Sequence, residues 1–166
     1  MPDVHEDVSH TLVHFLYSGE YETINSPLDE STSDVTREYK RSVLAYQASR
    51  TYSLSGLEVL AKQKIEILSE EVSLLDILQT TRNVFSKLPG NKTWLLDYIE
   101  RHLQESVMHG QPDIVLNIVY NTIGRNHGFD NAVMKIMLKM LSARLKSWES
   151  ACKDGKYKMP MITVVS

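Results

Sequence analysis

His10 and His14 lie four residues apart, with His5 and Glu6 just ahead of them. On a helix that spacing sets two imidazoles on one face, where paired histidines can hold a metal. A His-Glu-x-x-His helix also needs its glutamate. Position 11 is Thr11, and the sequence places no third ligand. The competing reading is a polar face turned to solvent opposite Leu12 and Phe15. Cys152, the only cysteine, has Lys153 beside it but no base that the sequence directs toward its thiol, so an exposed or structural thiol outweighs a nucleophile. Glu70 and Glu71 suit the first turn of a helix better than acid–base work. Gly124-Arg125-Asn126-His127-Gly128 has the look of a phosphate loop. It follows a helical pattern rather than a strand, so it reads as a helix–helix connection.

The stripe Met134, Met137, Leu138, Met140 and Leu141 admits two readings: an adaptable partner groove, or helical core, which is favoured. Lys135, Lys139, Arg144 and Lys146 on the same stretch, with Lys153, Lys156 and Lys158 beyond it, read as a solvated face.

These residues sit in a chain of 166 with 42% hydrophobic and 23% charged residues, an ordinary globular balance. The net charge of −3 argues against nucleic-acid binding through a general basic field. One cysteine excludes an intrachain disulfide and a Cys-rich zinc site, and suits a reducing compartment. No apolar run approaches the roughly 18 residues of a membrane span, and the start, Met1 to Asp7, is acidic where a signal peptide would be basic. The expectation is a cytoplasmic or nuclear protein with no cofactor, no membrane contact and no small-molecule substrate.

Scarce glycine and proline, with apolar residues at three- and four-residue spacing, predict a mostly α fold. A first helix carries Val8, Leu12, Phe15 and Leu16 on one face and ends at Ser18-Gly19. Residues 21–24 form a short extended piece, and 26–36 a polar, acidic loop. A second helix runs from about 37 to 52 with Tyr39, Val43 and Tyr46 as its stripe. A third, from 57 to 68, carries Leu57, Leu60, Ala61, Lys64 and Ile65. Ser69 caps a fourth. A fifth, about 92 to 109, carries Trp94, Leu95, Tyr98, Ile99 and Leu103. Two more follow, about 113–123 and 130–148, and the tail from 151 ends in strand-forming residues.

The order of these pieces resembles the second half of a BTB/POZ domain. The apolar helix ending in Phe15-Leu16-Tyr17-Ser18-Gly19 is similar to that family's Tyr-Thr/Ser-Gly signature. The helix ending at Tyr52, the turn Ser53-Leu54-Ser55-Gly56-Leu57 and Ala61 resemble the helix pair that follows it; Gln47-Ala48 departs from the usual run. Residues 74–103, with Trp94-Leu95-Leu96-Asp97-Tyr98, resemble the helical extension of fungal BTB proteins. The likeness divides the chain into a partial BTB/POZ domain over 1–68, a helical extension over 69–150 and a tail over 151–166.

The family's β-hairpin, dimer helix and sheet would precede residue 1, which implies an N-terminally truncated domain or a non-functional fragment. Burying one large apolar side chain stabilises by about 1.5–3 kcal/mol. Losing the sheet would therefore leave the first three helices uncovered and the chain marginal, prone to association, or propped up by its C-terminal helices. The resemblance implies no chemistry. It implies a protein–protein interaction adaptor, with self-association and binding of a cullin scaffold in a ubiquitin ligase complex, or a transcription-related role. Carried over by position, the partner-binding residues are Tyr17, Ser18, Gly19, Glu20 and Tyr21. A small helical metal protein or enzyme using His10 and His14 is the alternative.

Overall fold

A computed structural model describes residues 6–23, 33–108, 116, 117, 119, 120 and 123–153. Among them run six helices and no strand: α1 (Glu6–Ser18), α2 (Asp34–Thr51), α3 (Ser55–Leu68), α4 (Leu74–Phe85), α5 (Thr93–Met108) and α6 (His127–Lys153). Residues 116, 117, 119 and 120 are also helical. The mostly α expectation holds. The strand-like tail and most of the 26–36 loop lie outside the described residues.

Several boundaries move, each for a capping reason. The second helix starts at Asp34 rather than 37, because the Ser33 hydroxyl accepts the Thr36 N–H at 3.2 Å. Ser69 does not open α4. Its N–H donates to the Ile65 carbonyl and closes α3, while Ser73 accepts the Asp76 N–H at 3.2 Å and caps α4. Glu70 and Glu71 therefore sit exposed in the intervening turn, not in a helix's first turn. Gly19 ends α1 at φ +74°, a left-handed conformation that glycine adopts without strain, with its N–H on the Phe15 carbonyl.

Helix α2 is the centre of the packing and touches α1, α3 and α4, α3 most extensively. Tyr39, Val43 and Tyr46 are fully buried along it. Small residues on its other faces, Ser42, Ala45, Ala48 and Ser49, let neighbouring helices approach. The two serines satisfy their hydroxyls on the Glu38 and Tyr46 carbonyls. Helix α1 docks through Val8, Thr11 and Leu12. Phe15 lies over Gly56, where a Cβ would come within 2.9 Å of its ring tip. Leu16, expected on the same face, is 57% exposed, because it lies roughly 100° round from the centre of that stripe.

Helix α5 closes the core with Leu95, Tyr98, Ile99 and Leu103. Trp94 stacks on Tyr98 at 5.5 Å and tilts against Tyr46 at 4.8 Å. The Tyr39 and Tyr98 hydroxyls meet at 3.1 Å in the interior. Leu12, Tyr46, Leu57 and Ala61 are each at most 2% exposed with helices and no strand among the described residues, so the sheet expected over the first three helices is not required.

One group at the edge of this ring ladder makes stability depend on pH. The His102 ring packs edge-on against Tyr98 at 4.5 Å, and its Nε2 is buried with no hydrogen-bond partner among the described residues. Burial holds its imidazole below the usual range, and Glu105, 3.7 Å away, pulls weakly the other way. The folded state therefore binds this proton less readily than the unfolded chain. The resulting stability is complete above the ordinary imidazole pKa of about 6.5 and is lost as pH falls below it. The melting temperature should drop between about pH 7.5 and pH 5.5, and by less in His102→Gln. An identical drop in both proteins would assign the slope elsewhere.

Candidate protein-docking surface

Helix α6 begins where Asn126 accepts the Phe129 N–H at 3.1 Å, three residues before the start expected from the sequence. Asp130, in the first turn, folds its carboxylate back onto the N–H groups of Gly124 (2.8 Å) and Asn126 (3.3 Å). The backbone donors that a phosphate loop would offer are therefore taken by the chain's own side chain. The other carboxylate oxygen faces Arg82 of α4 at 3.5 Å. Burial lowers the Arg82 guanidinium from its usual range, Asp130 opposing. Phe129 packs edge-on against Phe85 at 5.4 Å, and Val133 and Ile136 continue the buried face. The first three turns of α6 are thus anchored on α4 and α5. Lys139, expected to be solvated, is exposed but reaches Glu100 of α5 at 2.7 Å.

Beyond that anchor, residues 141–150 are all exposed. Five large apolar side chains stand in solvent along one line: Met134 (43%), Leu138 (58%), Leu141 (52%), Leu145 (65%) and Trp148 (66%). Their spacing alternates four, three, four, three. That is the period of a helix seam that meets another helix. Beside it, Leu116, Tyr120 and Ile123 are exposed too, and with Met134, Leu138 and Leu141 they line an open groove of about 410 Å³. A second apolar groove, about 430 Å³, opens between Val107 and Met108 of α5 and Met137, Met140 and Leu141 of α6. The favoured core reading of the Met134–Leu141 stripe needs correction. Met137 and Met140 are half-buried, but Met134, Leu138 and Leu141 face away from the body.

The residues singled out earlier do not converge on a reaction centre. The His10 and His14 rings stack at 5.9 Å, and His14 is engaged by Ser18 (3.1 Å) and Glu22 (2.8 Å). Among the described residues no three His, Cys, Asp or Glu side chains gather as a metal site. Tyr17, Ser18, Gly19 and Glu20 are exposed, Tyr17 most of all. Ser18 is occupied as a turn former, donating to the His14 carbonyl and accepting the Glu20 N–H. Tyr21 turns inward: its hydroxyl meets Ser42 of α2 at 3.1 Å, and burial pushes its pKa up to about 12. The five residues thus divide between a solvent-facing turn and a packed ring. Cys152 is a free, half-buried thiol near the end of α6.

Residues 1–72 match the family model of the HAC6 N-terminal domain, and residues 73–149 that of the HAC6 small helical domain. The match is to the HAC6 domain pair. The helical HAC6 match opens at Ser73, the cap of α4, and takes in the exposed seam of α6. Two Aspergillus fumigatus proteins, from strains CBS 144.89 and ATCC MYA-4609, are each described as a subtelomeric hrmA-associated cluster protein. Each is 36% identical to this chain over 139 residues, 84% of the chain and 35% of the relative. The chain therefore spans about a third of the length of the curated relatives it matches. No solved structure matches it.

These matches overturn the BTB/POZ resemblance. Both halves of the chain fit HAC6 domains, including the Phe15–Gly19 and Tyr52–Ala61 segments on which the likeness rested. The physical reason is that the motifs are generic. A helix ending in an aromatic, a serine and a left-handed glycine is a common C-terminal cap, and buried small residues such as Ala61 are what any close helix pair needs. The inferred loss of a strand-bearing half falls with the resemblance. Sequence reading also missed Leu145 and Trp148. The signal was present: separating positions 133, 136 and 140 from 134, 138, 141, 145 and 148 resolves one broad stripe into a body-facing side and an outward seam.

Proposed function

We propose that this chain is a protein–protein interaction module that docks an amphipathic helix on the outward face of α6. One observation carries the reading. Five large apolar side chains from Met134 to Trp148 stand exposed at coiled-coil spacing on a helix whose base is anchored in the core. Exposed contiguous apolar surface of this kind marks association sites in folded proteins, and an apolar helix face with this period is met by another helix. The flanking methionines suit the role, because unbranched thioether side chains adapt to a partner's shape. The reading assigns no catalysis to the chain. A cullin partner had no support other than the BTB/POZ likeness.

A photo-crosslinking residue at position 145, with one at Lys146 as the control, tests this in cells that express the protein. Position 146 is also solvent-exposed, and it lies about 100° round the helix from position 145, off the seam. Protein adducts should form at 145 and be scarce at 146. Equal labelling at the two positions, or none at 145, would remove the docking surface.

A further inference from the structure

We propose that the partner on this face is a second copy of the chain, its α6 running parallel and in register with the first. The inference rests on the docking reading above and goes further by naming the occupant and its direction. In heptad terms Leu138, Leu145 and Cys152 take the a positions, and Met134, Leu141 and Trp148 the d positions. The side that binds the body, Phe129, Val133 and Ile136, lies roughly a third of the helix circumference away, so the body leaves the seam open.

Charge fixes the direction. Arg144 falls at a g position and Glu149 at the e position five residues on, and they flank the seam on opposite sides. In a parallel pair, g of one helix meets e of the next heptad on the other. Arg144 of each copy then faces Glu149 of the other, giving two complementary contacts from one sequence. The antiparallel arrangement that aligns the whole seam pairs Glu149 with Lys135 but sets Arg144 against Arg144. The parallel arrangement also brings both bodies to the same end. There Leu116, Tyr120 and Ile123 of each copy, all exposed beside the lower half of the seam, can cover one another.

The test uses the purified full chain. Its mass by sedimentation equilibrium should rise from 19.0 kDa toward twice that value between roughly 1 and 200 µM protein. Mild copper-catalysed air oxidation should join the copies through Cys152, because a positions face each other in register; Cys152→Ser should abolish the product. Leu141→Glu with Leu145→Glu should weaken dimerisation by at least about 100-fold with helicity by circular dichroism unchanged, since both side chains are exposed in the monomer. Arg144→Glu and Glu149→Arg should each weaken it, and the double variant should restore it.

A chain that stays monomeric throughout overturns the inference. So does a dimer that forms no Cys152 disulfide and is not restored by the charge swap, which marks the antiparallel pair. If the purified chain is monomeric while position 145 crosslinks to a different protein in cells, this inference fails and the docking reading stands. If neither contact forms, both fail.

Discussion

Replacing Asp130 with alanine is expected to cost about 3–5 kcal/mol of folding stability, the range for removing one member of a buried ion pair. Arg82 is 6% exposed, and its Nε and Nη1 have no hydrogen-bond partner among the described residues even with Asp130 in place. Without the carboxylate, a buried guanidinium would face Arg125 with no compensating charge. The N–H groups of Gly124 and Asn126 would also lose their acceptor, loosening the turn that launches α6. Asp130→Asn keeps an acceptor and should lose less. Adding Arg82→Met to Asp130→Ala should recover part of the loss, because the unpaired charge goes with it. Urea unfolding measures all of these. An Asp130→Ala protein as stable as the parent would show that water, not Asp130, balances Arg82.

The second large effect lies at Tyr98. Its ring is 1% exposed between Trp94 and His102, and its hydroxyl meets Tyr39. Tyr98→Ala should cost about 3–5 kcal/mol by opening a cavity where α2 and α5 meet. Tyr98→Phe keeps the ring and deprives the buried Tyr39 hydroxyl of this partner, at about 1–3 kcal/mol. Coupling is the decisive part. Tyr39→Phe and Tyr98→Phe together should cost less than the sum of the two single changes, because the double variant leaves no orphaned hydroxyl. Additive losses would mean the two hydroxyls do not depend on each other.

Much of this core could be read from periodicity. Tyr39, Val43 and Tyr46 on α2, Leu57, Ala61 and Ile65 on α3, and Leu95, Tyr98, Ile99 and Leu103 on α5 each follow a helical stripe and are each buried. Helix starts were less legible. Ser69 and Ser73 are equally good caps by residue type, and only the three-dimensional turn decides that Ser73 accepts the Asp76 N–H. The Arg82–Asp130 pair joins residues 48 positions apart, and no local pattern announces such a contact. The docking face was half legible. A methionine-rich stripe drew notice, but periodicity counts apolar positions without saying which side of a helix finds a neighbour. The family likeness misled for a related reason: short capping motifs recur wherever helices end, so their order did not identify the fold they came from.

A second copy of the chain, on the reading above, covers the outward face of α6. Trp148 sits on that face and is 66% exposed in the single chain, while the only other tryptophan, Trp94, is half-buried in the core. In a Trp94→Phe variant, indole emission therefore reports the seam alone. As protein concentration rises, the Trp148 emission maximum should move to shorter wavelength and return on dilution, as an indole leaves water and re-enters it. An emission maximum that stays at the solvent-exposed value at every concentration, in a protein that remains folded, would contradict it.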